Sequence, residues 1–220
     1  MDRRLGSPAM RTAYLASTLL ALAACDTIKQ PATMISDWSN DWRQVATPAD
    51  RARLRDWRGA FGDGLAAARK AGHAAEIASE GALLAPDAAI GGAIPNGYYA
   101  CRIIKLGAKS TGLLDYIAYP AFRCRVTPDR GLQRLAKMGG SQRVVGLIFP
   151  ADALRQVLLG TVVLSDERRA LQYGQDEARD VAGYVERIAP ARWRLVMPRP
   201  HFESQLDVME LTAAPEGPGR

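Results

Sequence analysis

The stretch "RLAKMGGSQRVVGLIF", Arg134 to Phe149, decides the fold. Strand-like runs flank Gly139-Gly140, and glycine accepts the positive φ that tight hairpin turns need. The stretch therefore predicts two antiparallel strands, Leu132–Met138 and Gln142–Phe149, joined by a short turn. Just upstream, "FRCRV" puts Phe122, Cys124 and Val126 on one strand face and Arg123 and Arg125 on the other. Similar short runs, separated by turn signals, cover Tyr98–Leu106, Tyr116–Val126, Val157–Leu164, Leu171–Tyr173, Ala182–Ile188, Trp193–Met197 and Leu206–Leu211. Their regularity predicts an antiparallel β-barrel-like or sandwich domain of about eight or nine strands across residues 96–212.

Before Pro95 the period is helical, which makes the chain α+β with an N-terminal helical part over residues 37–95. Trp38, Trp42 and Val45 share one helical face. Thr47-Pro48-Ala49-Asp50 then reads as a fresh N-terminus, with Thr47 as cap, Pro48 in the first turn and Asp50 near the positive end of the dipole. The helix it opens is predicted to reach about Ala71, with Leu54, Trp57, Phe61, Leu65 and Ala68 as its apolar face. A third helix, from about His73 to Leu84, stops before Pro86. The tryptophans are expected to pack against the sheet rather than line a ligand site. At the other end, residues 213–220 are too rich in Pro and Gly to order by themselves.

The first residues address compartment. The apolar run Ala13–Ala24 is far shorter than the roughly 20 residues of a membrane-spanning helix. With Arg11 before it and small residues after it, the run fits a secretory signal over residues 1–24. Leu22-Ala23-Ala24-Cys25 resembles the bacterial lipobox, in which the cysteine is acylated and the preceding peptide removed. Cys25 is thus the expected lipidation site, and residues 25–36 a lipidated tether. An ordinary signal peptide and a retained helix are the competing readings. Met10 is an alternative initiator, and Asp26 resembles an inner-membrane retention signal.

Assigning Cys25 to lipid leaves Cys101 and Cys124, which an oxidising compartment would pair across neighbouring strands. No nearby histidine completes a zinc site with them, and no activating partner marks either as a catalytic thiol.

The chain's charge is +6; residues 1–24 hold three arginines and one aspartate, so the remainder carries +4. Much of it lies in residues 101–143, where nine Lys/Arg face only Asp115 and Asp129. Such a stretch could meet an acidic partner, with Arg123 and Arg125 as recognition candidates, although alternating arginines more commonly form a solvated face. No nucleic-acid recognition motif is present.

Few residues suggest chemistry. His73 and His201 are not spaced as a metal pair, and no cofactor or metal site is expected. Gly139-Gly140-Ser141 lacks the nucleophile-elbow pattern. "LSDERR" reads as a charged turn at Asp166 and Glu167. The strongest cluster is "RPHFESQLDVMEL", which holds His201, Glu203, Ser204 and Asp207.

The blocks "YYACRIIKLG", "AYPAFRCRV", "GSQRVVGLIFP", "LLGTVVLSDE", "LQYG", "RDVAGYVERI", "RWRLVMPRPHFES" and "LDVMEL" together resemble the bacterial envelope family catalogued as domain of unknown function 4893. The resemblance spans about Trp38 to Leu211; at "ERIAPARWRL" a glycine turn would be expected where Ala189-Pro190 stand. It implies an exported bacterial protein and transfers no catalytic residue. The expected protein is a lipid-anchored, periplasm-facing envelope module without catalytic activity, attached to the membrane through its anchor. It would bind an envelope protein or ligand, in the manner of small disulfide-linked inhibitor barrels. The alternative is an envelope hydrolase using His201, Ser204 and Asp207.

Overall fold

The structure, a computed structural model, describes residues 39–214. The signal, Cys25, the tether, Trp38 and most of the C-terminal tail lie outside the described residues.

Nine strands follow the helical part: β1 (Gly97–Ala108), β2 (Tyr116–Ala118), β3 (Phe122–Asp129), β4 (Leu132–Lys137), β5 (Gln142–Pro150), β6 (Arg155–Leu164), β7 (Asp180–Ala189), β8 (Arg192–Pro198) and β9 (Ser204–Ala214). All pairings are antiparallel, and β1 also pairs with β9 from Tyr98↔Ala214 to Ala108↔Ser204. The sheet thus closes into an eight-stranded up-and-down barrel, with β2 as an extra strand beside β1. Closure leaves the eight barrel strands without a free edge. The hairpin read from Gly139-Gly140 is β4–β5, and Gly140 supplies the positive φ of 86°.

Two strand expectations change. Tyr116–Val126 is interrupted: β2 and β3 lie on the same side of β1, but the register steps from Ile104↔Ala118 to Cys101↔Phe122. Tyr119, Pro120 and Ala121 therefore face only Arg102 and Ile103. Pro120 has no N–H for the ladder, so the extra residue is absorbed there. Leu171–Tyr173 is not a strand but part of the β6–β7 connection, because β6 pairs directly with β7. Tyr173 is buried for another reason: its hydroxyl accepts the Thr47 N–H at 3.1 Å and donates to Asp50.

The helical part has four α-helices, α1 (Trp42–Val45), α2 (Pro48–Arg55), α3 (Trp57–Lys70) and α4 (Ala74–Ser79), then a 3-10 turn at Gly81–Leu84. Thr47 caps α2 by accepting the Asp50 N–H at 3.1 Å. The helix expected from Pro48 to Ala71 breaks at Asp56, so that α2 follows β7 while α3 crosses β1, β8 and β9. The helix expected to end at Leu84 gives way at Glu80, and Gly81 has a φ of +54°.

Three apolar clusters result. One fills part of the barrel with residues such as Cys101, Leu135, Ile148, Leu158 and Leu195. A second lies outside it, where Trp57, Phe61 and Leu65 of α3 cover Ile104, Leu106, Val196 and Val208. A third puts Ala46 and Leu54 over Leu147, Phe149, Val157 and Leu159. Most strands alternate between these inner and outer cores, which is why several read as nearly continuous apolar runs, whereas β3 turns Arg123 and Arg125 outward to solvent. Inside, Gly146 faces Gly160 across β5 and β6; a Cβ on Gly160 would lie 2.5 Å from the Gly146 Cα. Side chains there would hold the strands apart, so the glycines permit the tight curvature a small barrel needs.

Cys101 and Cys124 form a disulfide inside the barrel, with Cα atoms 6.0 Å apart. They are a diagonal pair, since Tyr99 faces Cys124 and Cys101 faces Phe122. The helical part has its own fastening on the outer surface. Arg194 is fully buried, pairs with Glu186 at 2.7 Å, and donates to the carbonyls of Ala82, Leu83, Ala85 and Pro86.

Candidate binding site at the open end of the barrel

One end of the barrel is filled. Ile94 enters the interior cluster, its N–H donating to Gln156 at 2.9 Å and its carbonyl accepting from Gln133 at 2.8 Å. Beside it Tyr99 and Trp193 meet edge to face, 6.0 Å between ring centres, and the Tyr99 hydroxyl donates to the Pro95 carbonyl.

The opposite end is hollow. A cavity of about 490 Å³ opens where β1 finishes and β9 begins. Strand alternation turns Ile103, Phe122, Val144, Val162 and Met197 towards it, and the same inward register brings Lys105, Lys137 and Asp207. Asp180 and Arg53 also line it, and its rim includes Tyr119, Pro120, the turn at 139–141 and the β8–β9 loop at 200–203. That volume is in the ordinary range for a small-ligand pocket, and eight strands suffice to hold one such molecule.

Charge inside the cavity is only partly matched. The Lys105 ammonium lies 2.8 Å from Glu203 and 3.3 Å from Asp207. Burial works to lower its pKa, but the two carboxylates outweigh this and hold it above the usual lysine value. Asp207 accepts the Ser204 hydroxyl on its other oxygen. Its burial raises the carboxyl pKa, while Lys105 and Ser204 oppose the rise. Lys137 has a different environment: it donates to the Gln142 carbonyl at 2.7 Å, sits 4.5 Å from the Phe122 ring centre, and has no carboxylate within ion-pair distance among the described residues. Burial and then the charges of Lys105 and Arg143 lower its pKa. Burial pushes Asp180 up to about 6, against the hydrogen bond from Gly174 N–H, with the Asp50 charge adding to the rise. Arg53 pairs with Asp50 and donates to the Asp180 carbonyl at 3.0 Å, leaving its buried Nε without a partner among the described residues.

The candidates read from the sequence separate in space. Glu203 and Asp207 converge on Lys105, and Ser204 donates to Asp207. His201 stands exposed on the rim with its ring edge to face against Phe202, and among the described residues no hydrogen bond joins it to Ser204. Ser204 is instead buried and committed to Asp207. Arg123 and Arg125 lie on the outer face of β3, both over the Tyr98 ring, at 4.8 and 5.0 Å, and line no part of the cavity. His73 bonds Glu76 at 3.1 Å and stacks on Tyr116. Glu167 accepts the Leu164 N–H and pairs with Arg179, making its segment a turn. Among the described residues, no three His, Cys, Asp or Glu side chains gather as a metal would require.

Lys105, Lys137, Asp180 and Arg53 were not singled out by their sequence context. Two carried a readable signal: Lys105 continues the inward face of Cys101 and Ile103, and Lys137 that of Leu135. A lysine in an inward register is the mark of a polar cavity or a buried pair.

No curated protein and no solved structure matches this chain. One family model does match, that of a family described as Domain of unknown function (DUF4893), over residues 42–211. The match begins with the first residue of α1 and ends within β9, so it takes in the helices, the barrel and the cavity together. The chain belongs to the DUF4893 family.

Proposed function

We propose that this protein is a lipid-anchored bacterial envelope module, facing the periplasm, whose barrel binds a small ligand without transforming it. The observation that carries the binding role is the form of the cavity: filled at one end by Ile94, Tyr99 and Trp193, open at the other, with apolar walls and a few fixed polar groups. Export and anchoring rest on the signal-like run before Cys25 and on the lipobox resemblance. The disulfide supports an oxidising compartment. A barrel of this kind could instead occupy an envelope protein in an inhibitor-like way, and Leu114 and Met138, exposed on loops at the open end, would suit such a contact. The hollow interior favours the small ligand. The hydrolase reading has less support, since a nucleophile needs a base in reach and Ser204 has, among the described residues, only the Asp207 carboxylate, itself held by Lys105.

A titration of small apolar compounds into the full chain, followed by methyl NMR, tests the binding role. Shifts at Val144, Val162 and Met197 are expected, and Val144→Trp, which fills the cavity, should abolish them. A panel that leaves these methyls unmoved would remove the basis for the reading.

A further inference from the structure

We propose that the cavity takes a small amphiphilic anion, a carboxylate on an apolar body, with its head on Lys137 and its body among Ile103, Phe122, Val144, Val162 and Met197. This rests on the binding role proposed above and gives it a ligand class.

The assignment follows from which charges in the cavity already have partners. Lys105 holds two carboxylates, Glu203 and Asp207. Arg53 is paired with Asp50, and the Asp180 carboxylate takes the Gly174 N–H. Lys137 alone among the lining lysines and arginines has no carboxylate in reach among the described residues. It has spent one of its three N–H donors, on the Gln142 carbonyl. An entering carboxylate would accept the remaining donors in a partly desolvated setting, where charge-assisted hydrogen bonds are strong. A cationic ligand would be repelled by Lys137; Glu203 and Asp207 are already held by Lys105, and Asp180, which accepts the Gly174 N–H, is the lining carboxylate without a cation at ion-pair distance among the described residues. Position fixes the orientation. Lys137 ends β4 and its partner Gln142 begins β5, so the ammonium is at the mouth; Val144 lies one inward step deeper.

The rim supplies an independent observation. Leu113, Leu114, Tyr119, Met138 and Phe202 are five of the seven exposed large hydrophobic residues among the described residues, and all lie on connections at the open end. Exposed apolar groups gathered around one opening mark an interaction site, and apolar material entering the cavity would pass them.

The test uses the full chain with octanoate, octanol and octylamine, reading affinity by calorimetry and location by the Val144, Val162 and Met197 methyls. Octanoate should bind at least about tenfold more tightly than octanol, and octylamine more weakly than either. Lys137→Gln should remove the octanoate advantage and leave octanol binding intact, which also reports that the cavity is still formed; Lys137→Arg should restore it. A second arm offers oleate held in phosphatidylcholine vesicles. Its saturable transfer to the protein would assign a membrane-derived acid, and binding of octanoate from solution without such transfer would assign a free acid. Equal binding of octanoate and octanol, or octanoate affinity unmoved by Lys137→Gln, would overturn the anion assignment while leaving a binding cavity. No response of the methyls to any probe would overturn both.

Discussion

Replacing Arg194 by Met removes the side chain that ties residues 82–86 to the barrel wall by hydrogen bonds to four of their carbonyls, two in the 3-10 turn and two just after it. Both Arg194 and Glu186 have fully buried side chains, and breaking a buried pair by deleting one partner costs about 3–5 kcal/mol. Two features set the position in that range. Glu186 keeps a second partner, Arg155, at 2.6 Å, which moves the loss towards the lower bound. Against this, the Leu83 carbonyl is left buried without the guanidinium donor, while the Ala85 carbonyl keeps the Ala88 N–H at 3.2 Å. Met nearly replaces the aliphatic part of the side chain, so cavity formation adds little. The sum is about 3–4 kcal/mol, a fifth or more of a typical folding free energy. At ~2–4 °C per kcal/mol for a domain of this size, the melting temperature should fall by roughly 10 °C. Urea unfolding of the full chain measures the loss, and amide exchange across residues 81–86 shows where it acts. A loss under ~1 kcal/mol with unchanged protection at 81–86 would refute the reasoning, because burial of Leu83 and Leu84 would then be holding the segment without the guanidinium.

Reducing the Cys101–Cys124 disulfide should lower stability by about 3 kcal/mol, from the chain entropy regained by the loop of residues between them; a melting temperature insensitive to reductant would count against it. Asp180→Asn should stabilise the protein at neutral and higher pH. Because burial raises the Asp180 pKa to about 6, its contribution is complete below the unfolded-state value and is lost as pH rises through about 6. Thermal melts of the two proteins should therefore diverge towards about pH 8 and converge towards about pH 4, and parallel curves would sink the assignment. Cys25→Ala should abolish acylation and membrane fractionation without lowering domain stability. Co-sedimentation of that variant with membranes after a high-salt wash would defeat the lipid-anchor proposal.

Most barrel strands were legible because they meet a different core on each face, β3 because its apolar and arginine residues alternate, and the hairpin at Gly139-Gly140 fixed one pairing outright. What the pattern could not show was where a run is interrupted for geometry. Apolar spacing continues from Leu54 through Trp57 to Phe61, so nothing in it marks the break at Asp56 that lets two helices follow different strands. Leu171-Gln172-Tyr173 looked like a strand because Tyr173 is buried, yet the burial serves its hydroxyl's hold on Thr47 and Asp50. The site was legible in part. Closeness along the chain grouped His201 with Ser204 and Asp207, but the loop leaves His201 on the rim while Asp207 turns inward and Ser204 is buried against it. Lys105 and Lys137 are more than thirty residues apart and line one cavity because β1 and β4 flank β3 and turn the same face inward. Within each strand, their inward register was already visible.

The pairing of β1 with β9 has a kinetic meaning. Every other barrel pairing joins strands that follow one another along the chain, whereas this one joins residues roughly a hundred positions apart, and its loop-closure cost has to be met in a single late step. Neither partner is complete until the last strand is available, so a chain arriving from its N-terminus would hold β1 as an open edge for most of its synthesis or export. Trp57, Phe61 and Leu65 lie over that seam and precede both strands in the sequence. They can cover the outer face of β1 while it waits, and then receive Leu206 and Val208 when β9 docks. Loss of the final strand would accordingly leave an open sheet with two unsatisfied edges and an uncovered helix, a species more disposed to self-association than to residual binding.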